Sequence, residues 1–273
     1  MLTFLTIKEK QGKALFPLKN KIICEEKALG SLAVRHIACL HNRGKIPYEK
    51  IRRLALEEAH RLLTDESLVF PKDVPLRRFE SSELRCRLCL NMALEVLKAL
   101  SKRQKDIKVG IFDPRGRIAD GAGSLLHYTK SIRVVTACTE LYSAEASRLM
   151  EESGAVMNVS RRLKALSELN LILAPIPLVV NLPVRNDALI LTVARPKLSQ
   201  SCACFYRYDV SLDEELKGLM PQGFESEYFA SALYELLGRF DLGSYIPQAV
   251  RGESGVHTLV SLTKYLMNIG SNS

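Results

Sequence analysis

Asp113-Pro114-Arg115-Gly116 stands directly after the apolar run 108–112, KVGIF. A short run rich in β-branched and aromatic residues, closed by a turn tetrapeptide, reads as the end of a buried strand. Backbone N–H groups at such a loop, with the start of a following helix, can hold an anion. Arg115 and Gly116 suit a phosphate grip, whereas Asp113 brings a carboxylate to the same spot. Thr136 closes the next apolar run, 132–135, and would face the same cleft. These four, Asp113, Arg115, Gly116 and Thr136, are the candidate cofactor-binding, cleft-lining residues. Arg161-Arg162 follows a third run and could contact an anion at the same sheet edge.

The remaining reactive side chains form weaker patterns. Cys86-x-x-Cys89 falls within a predicted helix, and Cys202-x-Cys204 in or beside a predicted strand, where residues i and i+2 share a face. Four thiolates could hold zinc, but the spacing matches no zinc module, so buried small side chains are expected and no metal site is assigned. The histidines, His36, His41, His60, His127 and His257, make no H-E-x-x-H pattern. His36 lies on an apolar stripe, and His257 is read at the start of a helix. No G-x-x-x-x-G-K-[ST] loop occurs, and no catalytic residue can be named.

The elements that would position these residues alternate along the chain. Strands are expected at 108–112, 132–135, 155–159, 171–174 and 188–193, with 202–210 a further candidate. Helical segments are expected at 118–128, 143–153 and 160–169. This alternation implies a parallel sheet with right-handed crossovers, and its first strand is expected in the middle. Upstream, strand character is expected around 22–24. Helical spacing is read over 25–40, from 47 to about 62, and from 81 or 82 to about 100. Downstream, helices are expected over 227–237 and 257–267. The basic connector 101–106 is read as a boundary. The expected organisation is therefore a basic, mostly helical domain (1–105), an α/β domain (106–200) and a C-terminal helical extension (201–273).

On this element order, residues 107–195 resemble a Rossmann-type NAD(P)-binding domain, the kind that follows a separate N-terminal domain in two-domain dehydrogenases. The resemblance implies a Rossmann-like, mainly parallel sheet flanked by helices, with ligand at its carboxyl edge. The family places G-x-G-x-x-G after its first strand, so that backbone N–H groups reach a pyrophosphate. Here Asp113, Arg115 and Ile118 take the three glycine positions. An acidic residue is expected after the second strand, where this chain has Thr136-Ala137-Cys138-Thr139 and only then Glu140. Gly121 and Gly123 fall inside the expected helix, where close helix packing is their expected use. The ordinary dinucleotide grip is thus expected to be lost.

Composition limits the partners. The 273 residues carry a formal charge of +9, with 47% hydrophobic and 25% charged residues, typical of a globular protein with a sizeable core. No apolar run has the length of a membrane span. The opening MLTFLTIKEK is too short and too soon charged to read as a secretory signal. Seven scattered cysteines suggest reduced thiols. A cytoplasmic protein is expected. Residues 1–107 hold 22 Lys and Arg against 13 Asp and Glu, while residues 108–273 hold 17 of each. Glu49, Glu57, Glu58, Glu83 and Glu95 interrupt the basic residues, so nucleic-acid binding is not the favoured reading. The leading expectation is a divergent Rossmann-like protein that acts by binding a ligand or partner. The alternatives are an NAD(P)-dependent oxidoreductase with an unusual phosphate loop and a nucleic-acid-associated protein. Neither the cofactor nor whether the protein is an enzyme can be read from the sequence.

Overall fold

In a computed structural model, residues 1–9, 20–41, 46–103 and 107–269 are described. In chain order the elements are β1 (Leu2–Glu9), β2 (Lys21–Leu29), β3 (Leu32–His41), α1 (Tyr48–Ala55), β4 (Leu63–Thr64), α2 (Glu83–Ser101), β5 (Val109–Phe112), α3 (Ala119–Ala122), β6 (Ser131–Val135), α4 (Thr139–Ser153), β7 (Val156–Ser160), β8 (Leu171–Ala174), β9 (Leu189–Thr192), β10 (Ala203–Tyr208), α5 (Glu214–Leu219), α6 (Ser226–Leu237), β11 (Ala249–Gly252), β12 (Gly255–Thr258) and α7 (Leu259–Asn268). The chain divides into two compact units. The first is Met1–Ser81 with Ser211–Arg239, and the second is Ser82–Val210 with Phe240–Ser273. The long helix α2 thus belongs to the second unit, on the far side of the division expected at 101–106. Residues 104–106 of that connector lie outside the described residues.

The first unit is built on a sheet of order β2-β3-β1-β4, with β1 parallel to β3 and β4, and β2 antiparallel to β3. This corrects the helix expected over 25–40 and the mostly helical N-terminal domain. Leu29 pairs with Leu32 across Gly30-Ser31, and Gly30 has φ +59°, the left-handed conformation a two-residue hairpin turn requires. Strand β3 is central, so apolar residues occur on both its faces and blur the period of two. The polar stop expected at Asn42-Arg43-Gly44 lies outside the described residues. One core layer joins Leu5, Ile37, Ile51, Leu62 and Leu76. On α6, Phe229 packs 5.5 Å from Phe4, and the Tyr228 hydroxyl donates to the Phe79 carbonyl at 2.7 Å. The basic residues here are largely engaged locally: Arg35 with Glu26, Arg52 with Glu49 and Arg61 with Glu58.

The second unit carries a sheet of order β12-β11-β10-β9-β8-β5-β6-β7. From β7 through to β10 every neighbouring pair is parallel, and β11 and β12 are antiparallel additions. Counted from β5, the parallel part runs 3-2-1-4-5-6, the doubly wound order that reverses between its first and fourth strands. As expected, the first strand lies inside the sheet. Val109, Ile111, Leu171, Leu173, Leu189 and Leu191 are almost fully buried, as strands covered on both faces require.

Within the expected C-terminal helical extension, two strands stand where no strand was expected. Gly252-Glu253-Ser254-Gly255 is a hairpin turn between β11 and β12, and His257 lies in β12, 4.8 Å from the Phe205 ring. A Cβ on Gly252 would come 2.0 Å from the Cys204 carbonyl oxygen, so the strands approach there as only glycine allows.

Candidate functional site

The carboxyl edge of β5 holds the first candidate residues. Phe112 ends the strand, and the Asp113 N–H donates to the Val135 carbonyl at 3.0 Å, which carries the sheet one residue further. The chain then turns through Pro114 and Arg115, with Gly116 at φ +69°. A Cβ on Gly116 would lie 2.7 Å from Leu141 Cδ1, so this glycine also lets the loop lie close against α4.

Asp113 is fully buried. Its Oδ1 accepts from the Arg115 N–H at 3.3 Å, and its Oδ2 accepts from the Ile118 N–H at 3.0 Å and the Tyr142 hydroxyl at 2.8 Å. The carboxylate therefore binds two of the backbone donors that a dinucleotide loop would offer to phosphate. Arg115 engages it through the backbone alone. Its side chain is exposed. Tyr142 comes from α4 and is fully buried. Burial, followed by the adjacent Asp113 charge, pushes its hydroxyl well above the ordinary tyrosine value.

The segment after the loop is a short helix. α3 makes a single α-turn, and a 3-10 turn continues it over Gly123–His127. A Cβ on Gly121 would lie 2.7 Å from Leu90 Cδ2, and one on Gly123 would lie 2.9 Å from Leu149 Cδ1. These glycines serve close packing, as read from the sequence, at a cost in helix propensity.

At the end of β6, Thr136 is buried, and its Oγ1 accepts from the Cys138 N–H at 3.0 Å. The Cys138 thiol reaches the Pro114 carbonyl at 3.4 Å, which ties the two loops together. Thus Asp113, Gly116 and Thr136 meet at one edge, while the Arg115 side chain points to solvent. Arg161 lies beside them, its Nη2 3.4 Å from Thr139 Oγ1.

The other side of β5, toward β8, is different. The Cys86 thiol on α2 donates to the Pro175 carbonyl, just past β8, at 3.1 Å. Arg117 Nη1 lies 3.8 Å from that sulfur. Among the described residues the half-buried Arg117 guanidinium has no carboxylate partner. The order of the sheet reverses between β5 and β8, so Arg117 sits where doubly wound sheets open a crevice for ligands. Sequence reading missed both Tyr142 and Arg117. The available signals were a tyrosine one residue before the expected helix 143–153 and an arginine one residue before the expected helix 118–128.

No histidine hydrogen-bonds to a thiol or carboxylate among the described residues; His36 pairs with Thr6 Oγ1 at 2.9 Å and His127 with the Ser124 carbonyl. The Cys89 thiol donates to the Leu191 carbonyl at 3.4 Å, and burial pushes its pKa up to about 12. Among the described residues no group of three or more His, Cys, Asp or Glu could hold a metal ion, and no helix is long and apolar enough to cross a membrane.

No family model matches the chain, and no curated protein matches it. Among solved structures, it is similar to quinate dehydrogenase from Corynebacterium glutamicum in complex with NAD, 9% identical over 57% of this chain and 70% of that chain, with a TM-score of 0.30. L-tryptophan dehydrogenase from Nostoc punctiforme is 11% identical over 87% of this chain and 66% of that chain, with a TM-score of 0.32. A Δ(1)-pyrroline-2-carboxylate reductase from Thermococcus litoralis is 15% identical with a TM-score of 0.28, and this chain spans 39% of its length, matched by 39% of its own. The strand order itself identifies the fold. The second unit is a divergent Rossmann-like domain.

Proposed function

We propose that this Rossmann-like domain binds a small anionic ligand at the crevice between β5 and β8, with Arg117 as its charged anchor and without the ordinary dinucleotide grip. The supporting observation is the saturation of the β5 loop. Its buried carboxylate already accepts from Arg115 N, Ile118 N and Tyr142 Oη. A pyrophosphate arriving there would meet a negative charge and donors already in use. Arg117, by contrast, is a partly buried cation free of any carboxylate among the described residues, and a guanidinium offers the forked donors that carboxylates and phosphates match.

The test is a thermal-shift screen of the whole chain against inorganic phosphate, carboxylate metabolites, nucleotides and dinucleotides, followed by calorimetry. A ligand at 100 times its dissociation constant adds about 2.7 kcal/mol of stability. An anionic ligand whose shift disappears in Arg117→Gln supports the reading.

A second reading is an NAD(P)-dependent oxidoreductase. It is favoured by the 3-2-1-4-5-6 order, which in its ordinary form carries a dinucleotide across this crevice. Arg115, Gly116 and Thr136 would then form a modified phosphate grip. Low-micromolar binding of NADH or NADPH, abolished by Asp113→Ala, would establish this reading and sink the first. Nucleic-acid binding has less support, since Arg35, Arg52 and Arg61 are each tied to a carboxylate.

A further inference from the structure

The sheet of the first unit ends on a long strand, β2. It has nine residues, whereas the other sheet edges, β4, β7 and β12, have two, five and four. Among the described residues β2 pairs with β3 alone. Leu29 and Leu32 flank a two-residue turn as a hydrogen-bonded pair, and the register runs unbroken from there to Lys21 and Leu40. The odd-numbered residues of β2 therefore bond to β3, and the N–H and C=O groups of Ile22, Cys24, Glu26 and Ala28 point outward. No backbone group meets them among the described residues. Residues 24–28 are exposed, and Ile22 and Ile23 are only half-buried. The Lys27 ammonium donates to the Gly218 carbonyl of α5 at 3.0 Å, beyond the stretch 21–25.

An open edge of this length is a template for another strand, and its charges indicate which one. Glu26 is held by Arg35, but Lys21 and Glu25 make no ion pair among the described residues. Two copies of β2 can meet antiparallel about a two-fold axis normal to the sheet. Each face then continues across the junction, so the axis must pass through a residue. With the axis at Cys24, Lys21 would face Lys27. With the axis at Glu25 or Glu26, that glutamate would face its own copy. Like charges directly opposite destabilise a sheet. With the axis at Ile23, Lys21 faces Glu25 on both sides of it and Ile23 faces Ile23. Ile22 and Cys24, whose backbone groups point outward, then form the hydrogen-bonded pairs.

We infer that β2 pairs antiparallel with β2 of a second copy of this chain, centred on Ile23. The two four-stranded sheets join edge to edge through β2. Backbone hydrogen bonds hold the junction, and the Lys21–Glu25 pairs with the central isoleucines fix its register.

The test is sedimentation velocity of the whole chain across a wide range of protein concentration, since association follows mass action. A dimer that grows with concentration is expected. Cys24→Pro removes an outward N–H and leaves the bonds to β3 in place, so it should give a folded monomer by circular dichroism. Lys21→Glu should raise the dimer dissociation constant about tenfold. The charge swap Lys21→Glu with Glu25→Lys should restore it, which a merely misfolded variant would not do. The register has its own readout. Ile23→Cys in a Cys24→Ser background should cross-link to its copy on mild oxidation, because opposed residues of a non-hydrogen-bonded pair lie within disulfide reach. Cys24 of the wild-type chain should not cross-link, because it faces Ile22. A wild-type chain that stays monomeric throughout, a dimer that Cys24→Pro leaves intact, or a charge swap that fails to restore association would overturn the inference.

Discussion

The two sides of β5 solve the same local problem in opposite ways. Toward β6, the Asp113 carboxylate is fully buried and accepts three hydrogen bonds from its own chain. Toward β8, the Arg117 guanidinium is half-buried, lies 3.8 Å from the Cys86 sulfur and has no carboxylate partner among the described residues. A buried charge must be paired or it destabilises the fold. Satisfied groups hold structure, whereas a charge left facing a crevice is available to a ligand. The loop after β5 is braced by its own carboxylate, whereas among the described residues the Arg117 guanidinium beside it has no carboxylate partner.

Breaking the brace should have the largest effect. Asp113→Ala leaves the Tyr142 hydroxyl and the Ile118 N–H buried without an acceptor, at a cost of about 2–6 kcal/mol in urea or thermal unfolding, taking about 1–3 kcal/mol for each orphaned group. Asp113→Gly should weaken the loop similarly and, by removing the carboxylate, improve whatever dinucleotide affinity the protein has. A change below about 0.5 kcal/mol in Asp113→Ala would mean that the carboxylate is not the brace described here.

Tyr142→Phe should cost less, about 1–2 kcal/mol near pH 7, because Asp113 keeps its two backbone donors. Its pH dependence sharpens the assignment. Burial and Asp113 raise the Tyr142 hydroxyl above its ordinary value of 10.0. The folded state therefore holds this proton when the unfolded chain has released it. The stabilisation is fully present below about pH 10 and is lost as pH rises above it toward the folded value. The stability gap between wild type and Tyr142→Phe should accordingly narrow above about pH 10. A gap that stays constant from pH 8 to 11 would contradict the buried Tyr142–Asp113 pair.

The central sheet was legible because strands such as 109–112 and 171–174 are short apolar runs buried on both faces, and no competing pattern fits four such residues between turn signals. The reading of β3 went astray for a different reason, since that strand is buried on one face and half-buried on the other, yet apolar residues stand on both. Leu29, Leu32, Ala33, His36, Ile37 and Leu40 fit a helical stripe as well as a central strand, and only Gly30-Ser31 marks the hairpin. At the site, Asp113 was legible as a carboxylate near a helix start, because the loop's position follows from sequence order alone. Its partner was not. Tyr142 lies 29 residues away and reaches Asp113 only because β6 and α4 fold back over the loop. Arg117 could not be told from any surface arginine until the reversal of strand order placed it at the crevice. The turn 252–255 was hidden for a related reason, since the need for Gly252 comes from the Cys204 carbonyl on a neighbouring strand.

The smallest effect on stability, and the sharpest test of the comparison, is expected from Arg117→Gln. The side chain is half-exposed, and its contact with Cys86 is a weak one to sulfur. The Cys86 thiol keeps its own bonds to the Ser82 and Pro175 carbonyls at 3.0 and 3.1 Å. No buried group is orphaned, so the unfolding free energy should change by no more than about 0.5 kcal/mol. Glutamine retains hydrogen-bonding capacity but not the charge or the forked donors that match an anion. Binding of whichever anionic ligand the screen identifies should therefore fall while the melting temperature of the free protein stays put. Asp113→Ala should do the reverse on the first count, lowering the melting temperature whether or not ligand is present. If Arg117→Gln destabilised the free protein as much as Asp113→Ala does, the guanidinium would be a second brace, and the two sides of β5 would not differ in the way their hydrogen bonds indicate.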